Sequence, residues 1–267
     1  MECRVKSERM FTVKERERIR AALIQRARSD PRVVAAAAVG SSAGESDRWS
    51  DLDLTFGVAE STTVDEVLSD WTAAMIGQFS AAVLFDLPVH TTIYRVFLLP
   101  GALQVDLSFT PARDFGSTSP RFQLLFGEAR KRSSAAAPSP NHMFGLGVHH
   151  VVRAHICIER GKVWQAEYWI HSARDEALSL ACLRHGLPVR EGRGFDAVPP
   201  EIHELLAASL VGDLSPDTLW RGIVALTAAL LYEAEYIPDL DARVAPILQE
   251  MLRIKGNPPC STPSPPY

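Results

Sequence analysis

Apolar residues recur along this chain with two periods, and the period changes once. From Val13 to Arg28 the apolar positions Ile19, Leu23 and Ile24 fall at helical spacing in a charged segment, which predicts a helix. Asp30-Pro31 breaks it. Val33 to Val39 is an unbroken run of small and β-branched residues, the pattern of a strand buried on both faces. A Gly/Ser-rich turn (Gly40-Ser41-Ser42-Ala43-Gly44) follows, and Asp51 to Val58 reads as a second strand. Asp65 to Phe79 reads as a helix. Ala82 to Leu87, Thr92 to Leu99 and Leu103 to Phe109 read as three further strands, the last two joined by Pro100-Gly101-Ala102 as an antiparallel hairpin. Beyond this point helical periodicity takes over, in Asn141–Ile158, Val163–His185, Glu201–Leu210 and Asp217–Tyr236.

These elements predict an α+β protein: a mixed sheet with flanking helices, followed by an all-helical part. The polar, proline-containing segment Arg130 to Pro140 is the expected linker. The domain boundaries that follow are 12–130 and 141–256, with 257–267 (NPPCSTPSPPY) as a disordered tail. A cleft between the two domains is the expected place for a small ligand.

Composition narrows the function classes. With 267 residues, 46% of them hydrophobic, the chain can bury a real core. A net charge of -4 with interspersed acids and bases argues against an extended nucleic-acid partner, which calls for a basic face. The N-terminus is charged and lacks the apolar stretch of a signal peptide, and no apolar run is long enough to span a bilayer. Cys3, Cys157, Cys182 and Cys260 are far apart and form no CxxC pair, so they read as incidental or buried thiols in a reducing compartment. A cytoplasmic protein without membrane partners is expected.

The chemistry concentrates in Gly40 to Leu54, GSSAGESDRWSDLDL. Side chains alternate across a strand, so Asp51 and Asp53 point to one face while Leu52 and Leu54 point to the core. Two carboxylates held that close repel, and a fold tolerates this mainly when a cation lies between them. Magnesium, a hard ion taking oxygen ligands, suits one or two carboxylates plus substrate phosphates. Asp106 is a third candidate: in Leu103-Gln104-Val105-Asp106-Leu107-Ser108-Phe109 it faces away from Val105, Leu107 and Phe109, and an Asp amid an apolar strand needs a partner or a metal. Three such aspartates would hold two metal ions for in-line phosphoryl displacement. Gly40 lets a phosphate approach the backbone, and Ser41, Ser42 and free amides at a following helix start could bind a triphosphate.

A strand, Gly-Ser, about ten residues, Ser-Asp-x-Asp-Leu and a later strand aspartate together resemble the signature of the polymerase-beta-like nucleotidyltransferases. The resemblance covers Ile19 to Phe109. It implies transfer of a nucleoside monophosphate from an NTP, with Asp51, Asp53 and Asp106 as metal ligands and Gly40 and Ser41 as the phosphate-binding pair. In one respect the chain departs from the family pattern Gly-Ser-x-Ala-Arg-Gly: Ala43 runs directly into Gly44, so the loop is one residue shorter and lacks that arginine. Arg48 is the candidate to compensate.

The helical half resembles, in architecture only, the small-molecule members of that superfamily, the aminoglycoside and lincosamide adenylyltransferases. On Val163–His185, Ala166, Trp169, Ile170, Ala173, Ala177, Leu180 and Ala181 form a core stripe. Glu167, His171 and Arg174 form another, at spacings of four and three. Some aminoglycoside members take a catalytic carboxylate from this domain. By that likeness Glu167 is the candidate general base toward an acceptor hydroxyl and Arg174 a phosphate contact; the alternative for both is a solvated face with a modest ion pair. His149-His150 and His155 with Glu159 lack the HExxH arrangement and read as helix-surface histidines. Trp164 and Tyr168 are open to stacking on a base or sugar, while Trp169 reads as core. Trp49, Glu128 and Lys131 have ligand-facing and merely structural readings alike.

The resulting expectation is a magnesium-dependent adenylyltransferase that uses ATP and a small-molecule acceptor, with antibiotic resistance as its role if the acceptor is of aminoglycoside type. Two alternatives are a protein-modifying, antitoxin-like nucleotidyltransferase and a catalytically silent nucleotide-binding regulator.

Overall fold

The computed structural model describes residues 10–40, 47–117, 121–131 and 139–256. The chain divides into two compact units, Met1–Ala136 and Ala137–Tyr267. The first is α+β and the second helical. Residues 132–138 of the expected linker and the whole expected tail, 257–267, lie outside the described residues.

The first unit begins with α1 (Val13–Ser29), closed at its start by a capping box in which Thr12 and Glu15 exchange side-chain and backbone hydrogen bonds. The strands β1 (Val33–Val39) and β2 (Leu52–Val58) follow, then α2 (Val64–Phe79), opened by a second capping box of Thr63 and Glu66. Next come β3 (Ala82–Val89), β4 (Thr92–Leu99) and β5 (Leu103–Pro111). A two-residue strand β6 (Gly116–Ser117), β7 (Phe122–Phe126) and a two-residue β8 (Arg130–Lys131) complete the unit. Six strands form one sheet in the order β3-β4-β5-β2-β1-β7. The β2–β5 pair is parallel and every other pair antiparallel, so the sheet is mixed.

One face of this sheet packs on α1 and α2. Leu52, Leu54 and Phe56 of β2 and Val105, Leu107 and Phe109 of β5 are all at most 1% exposed, in one cluster with Ile19 and Leu23 of α1 and Trp71 and Met75 of α2. Its centre is a trio of rings, Phe56, Trp71 and Phe109, with centroids 4.6 to 5.3 Å apart. Alternation then sends Asp53 and Asp106 to the opposite face. The small side chains of β1 serve both faces: Ala36 and Ala38 join the main core, and Ala35 and Ala37 pack with Phe115. The edge strand β3 is exposed along its whole length, Val83, Phe85 and Leu87 included, which its apolar sequence did not suggest.

The second unit contains α3 (Pro140–Glu159), α4 (Val163–Arg184), α5 (Pro200–Leu206), α6 (Pro216–Ala234) and α7 (Val244–Gly256). The segment Glu201–Leu210, expected as one helix, is α5 followed by a 3-10 turn at Ala207–Ser209. The expected stripe of α4 is buried at Ala166, Ile170, Ala173, Ala177, Leu180 and Ala181, whereas Trp169 is only partly covered. Arg184 and Glu233 tie α4 to α6 by a paired ionic contact, 2.8 and 2.9 Å, with Glu233 buried. Cys157 and Cys182 are free and buried in this core; Cys3 and Cys260 lie outside the described residues. Among the described residues no helix is long and apolar enough to cross a membrane.

Candidate active site

The parallel pairing of β2 with β5 sets Asp53 directly beside Asp106. Asp51 stands one residue before β2, since the strand begins at Leu52 rather than at Asp51. One ligand atom from each of Asp51, Asp53 and Asp106 lies within 4.8 Å of the others, and all three residues are partly buried. Among the described residues no other group of three His, Cys, Asp or Glu side chains comes so close. Like charges at this separation repel by about 3 kcal/mol per pair at an effective dielectric of about 20. Burial pushes the Asp106 carboxyl above the usual carboxylate range; the charge of Asp51 pushes it the same way, and hydrogen bonds from Gln104 oppose the shift. The donor set consists only of carboxylate oxygens, which fits a hard divalent cation such as magnesium and does not fit the softer metals that select sulfur or imidazole.

Two neighbours of this cluster were not among the candidates read from the sequence. Gln104, two residues before Asp106 on the same strand face, donates its side-chain amide to both Asp106 oxygens, at 3.1 and 3.3 Å. The i, i+2 spacing was the available signal. Arg16 of α1 reaches the segment before Asp51, where its guanidinium donates to the carbonyls of Asp47 (2.6 Å) and Ser50 (3.2 Å). Asp47 folds this segment into a local turn, accepting from the Trp49 amide at 2.8 Å and the Ser50 hydroxyl at 3.0 Å.

Gly40 directly follows β1, with φ of +59°. A Cβ there would come within 2.6 Å of an Asp53 carboxylate oxygen. Glycine is therefore required twice, for the left-handed backbone and for room beside Asp53. Ser41 and Ser42, with the rest of 41–46, lie outside the described residues. Arg48 lies over the rings of Trp49 (4.5 Å) and Phe11 (5.6 Å), and Trp49 itself is 65% exposed.

In the helical unit, Glu167 is partly buried on α4. Arg174, two turns further on, donates to the Ser209 carbonyl at 2.6 Å and contacts His171 Nδ1 at 2.8 Å, and His171 also pairs with Asp175 at 3.4 Å. Trp164 and Tyr168 are well exposed. His149 and His150 pack on Trp169 with centroids 6.0 and 5.2 Å away, and His155 sits between Trp220 and Glu159. Exposed Glu128 lines a surface depression with Glu60 and Arg113, which pair with one another. Lys131 is exposed on β8.

Glu176, a carboxyl of the helical unit that sequence reasoning passed over, is shifted upward. Burial raises its pKa; His142 opposes the shift and Asp175 adds to it. A carboxyl with a raised folded pKa contributes stability that is complete below the ordinary carboxylate range and is lost as pH rises through its folded value. Glu176→Gln removes that loss. We expect the variant to melt about 2 °C above wild type at neutral pH and to match it in acid, as read by thermal denaturation at two pH values.

No family model matches this sequence, and no curated protein matches it. Among solved structures, the chain aligns with an aminoglycoside 6-adenyltransferase from Bacillus subtilis at 11% identity and a TM-score of 0.41, covering 91% of this chain and 98% of that one. It aligns with the cyclic dinucleotide synthase CdnE of Elizabethkingia meningoseptica, solved with GTP and Apcpp, at 12% identity and a TM-score of 0.27, covering 94% and 96%.

Proposed function

We propose that this protein is a nucleotidyltransferase that moves a nucleoside monophosphate, AMP from ATP, onto a hydroxyl of a small molecule. The observation that carries this reading is the acidic triad: Asp53 and Asp106 in register on parallel strands, with Asp51 closing the group to within 4.8 Å. Divalent cations held there, magnesium in this reading, would supply charge neutralisation at the α-phosphate and the leaving pyrophosphate. Asp51, Asp53 and Asp106 are the residues that would hold them.

The reaction is a direct in-line displacement. The acceptor oxygen forms a bond to the α-phosphorus, the bond from that phosphorus to the bridging oxygen breaks, and pyrophosphate leaves with the electron pair. Gly40, Ser41 and Ser42 cradle the triphosphate in this reading, and Arg174 is a further phosphate contact. Glu167 takes the proton from the acceptor hydroxyl. An aminoglycoside-type antibiotic is the acceptor class we would try first, because a chain with net charge -4 suits a polycation. The reading places the protein in the cytoplasm.

Transfer of label from α-phosphate-labelled ATP to a panel of aminoglycosides and lincosamides tests this function. Labelled product with one drug class, absent without magnesium, is the expected result. Label on no small molecule but on protein would point instead to the protein-modifying alternative. Glu167→Gln belongs in the same assay. As general base its loss should lower turnover by about 10²-fold or more, whereas unchanged turnover would remove Glu167 from the site.

A further inference from the structure

Asp51 lies outside β2, so the sheet ladder does not fix its direction. The chain just before it is held by the hydrogen bonds of its own turn and by a cation from another element. Arg16 is 3% exposed although it sits in the most charged helix of the first unit. Its two carbonyl contacts bracket the turn 47–50, and the second is the carbonyl of Ser50, whose peptide plane leads directly into Asp51. Desolvating a guanidinium is costly, and the two carbonyls share in offsetting that cost with Glu17, whose carboxylate accepts from Arg16 Nε at 3.2 Å. The helix bearing Arg16 is itself held toward the third carboxylate: the Phe11 amide donates to the Gly101 carbonyl at 2.9 Å, in the turn that opens β5 and leads to Asp106.

We infer that Arg16 is a positioning residue for the acidic triad. Through the Asp47 and Ser50 carbonyls it holds the Asp51 backbone so that its carboxylate meets those of Asp53 and Asp106. It touches neither substrate nor metal. Its effect is on the entropy and geometry of cation binding: without it, the turn 47–50 and Asp51 must be ordered by the ion itself. Both carbonyls accept from one nitrogen, Nη1, while Nε of the same group donates to Glu17 at 3.2 Å; a lysine keeps the charge but has a single nitrogen and cannot serve the carbonyls and Glu17 from two sides of a planar group. The inference rests on the cation-binding reading of the triad.

The test is a manganese titration of the full chain, with free ion read by its electron paramagnetic resonance signal, for wild type, Arg16→Met and Arg16→Lys. Amide exchange across 47–51 is measured alongside. Arg16→Met should weaken manganese binding by about tenfold or more, with faster exchange at 47–51, and Arg16→Lys should fall between it and wild type. If Arg16→Met does not fold, Arg16→Lys carries the test, with weaker binding expected. Wild-type affinity in a folded variant, even one with a lowered melting temperature, would overturn the positioning role and leave Arg16 as a stabilising residue only. Failure of wild type itself to bind manganese would be a different result, since it would remove the cation reading and the inference together.

Discussion

Asp53→Ala should lower the proposed nucleotide transfer by about 10³-fold or more, because in that reading it removes the carboxylate that links the other two and with it several kcal/mol of charge stabilisation at the phosphoryl group. The same substitution should leave the melting temperature of the metal-free protein unchanged or slightly raised. Asp53 faces away from the core built by Leu52, Leu54 and Phe56, so no cavity opens. Its loss also relieves repulsion from Asp51 and Asp106, whose ligand atoms lie within 4.8 Å. Asp51→Ala should behave alike. Loss of activity with retained or gained stability is the signature of a functional group, since a structural residue loses both together. Turnover near wild type in either variant would dismiss the metal-site assignment, and thermal denaturation of the same samples checks the second half.

Gly40→Ala should be nearly as damaging to activity, and for a steric reason. The added methyl would sit 2.6 Å from an Asp53 carboxylate oxygen, well inside contact distance, at a backbone φ of +59°. The left-handed backbone alone costs about 1–2 kcal/mol for an L side chain, enough to lower the melting temperature by several degrees in a chain of this size. Asp53 must then swing away or the chain end of β1 must shift. Either movement spoils the triad, so we expect at least a 10²-fold loss of turnover, given that a 1 Å misplacement can have that effect. Unlike Asp53→Ala, Gly40→Ala therefore loses activity and stability together. A variant with both near wild type would show that Gly40 is not held against Asp53.

Much of this arrangement was legible in the sequence because local pattern and tertiary environment agree there. The run Val33–Val39 is a strand with those bounds, buried on both faces from Ala35 to Ala38 as its composition implied, with Val34 exposed. The alternation in Leu103–Phe109 placed Asp106 opposite its apolar neighbours, and the structure puts it in register with Asp53. What was not legible depends on partners distant in sequence. Phe122–Phe126 shows no alternation and is a strand only because β1 pairs with it. The last helix, Val244–Gly256, was not read from the sequence; Pro246 lies in its first turn, where proline is tolerated. Arg16 was hidden for a related reason. In VKERERIRAAL it cannot be told from its charged neighbours, and only the turn at 47–50 distinguishes it. The fate of Ala82–Val89 is the converse case: its apolar residues fit a strand, but the strand lies at the sheet edge and stays exposed.

The most direct experiment needs no acceptor. ATP binding should be measured by calorimetry with wild type and Asp53→Ala, each with and without magnesium. If the triad is a nucleotide-bound metal site, wild type binds ATP tightly only with magnesium, and Asp53→Ala loses the magnesium-dependent part. ATP binding that is absent, indifferent to magnesium, or undiminished in Asp53→Ala would contradict that assignment and take the proposed chemistry with it.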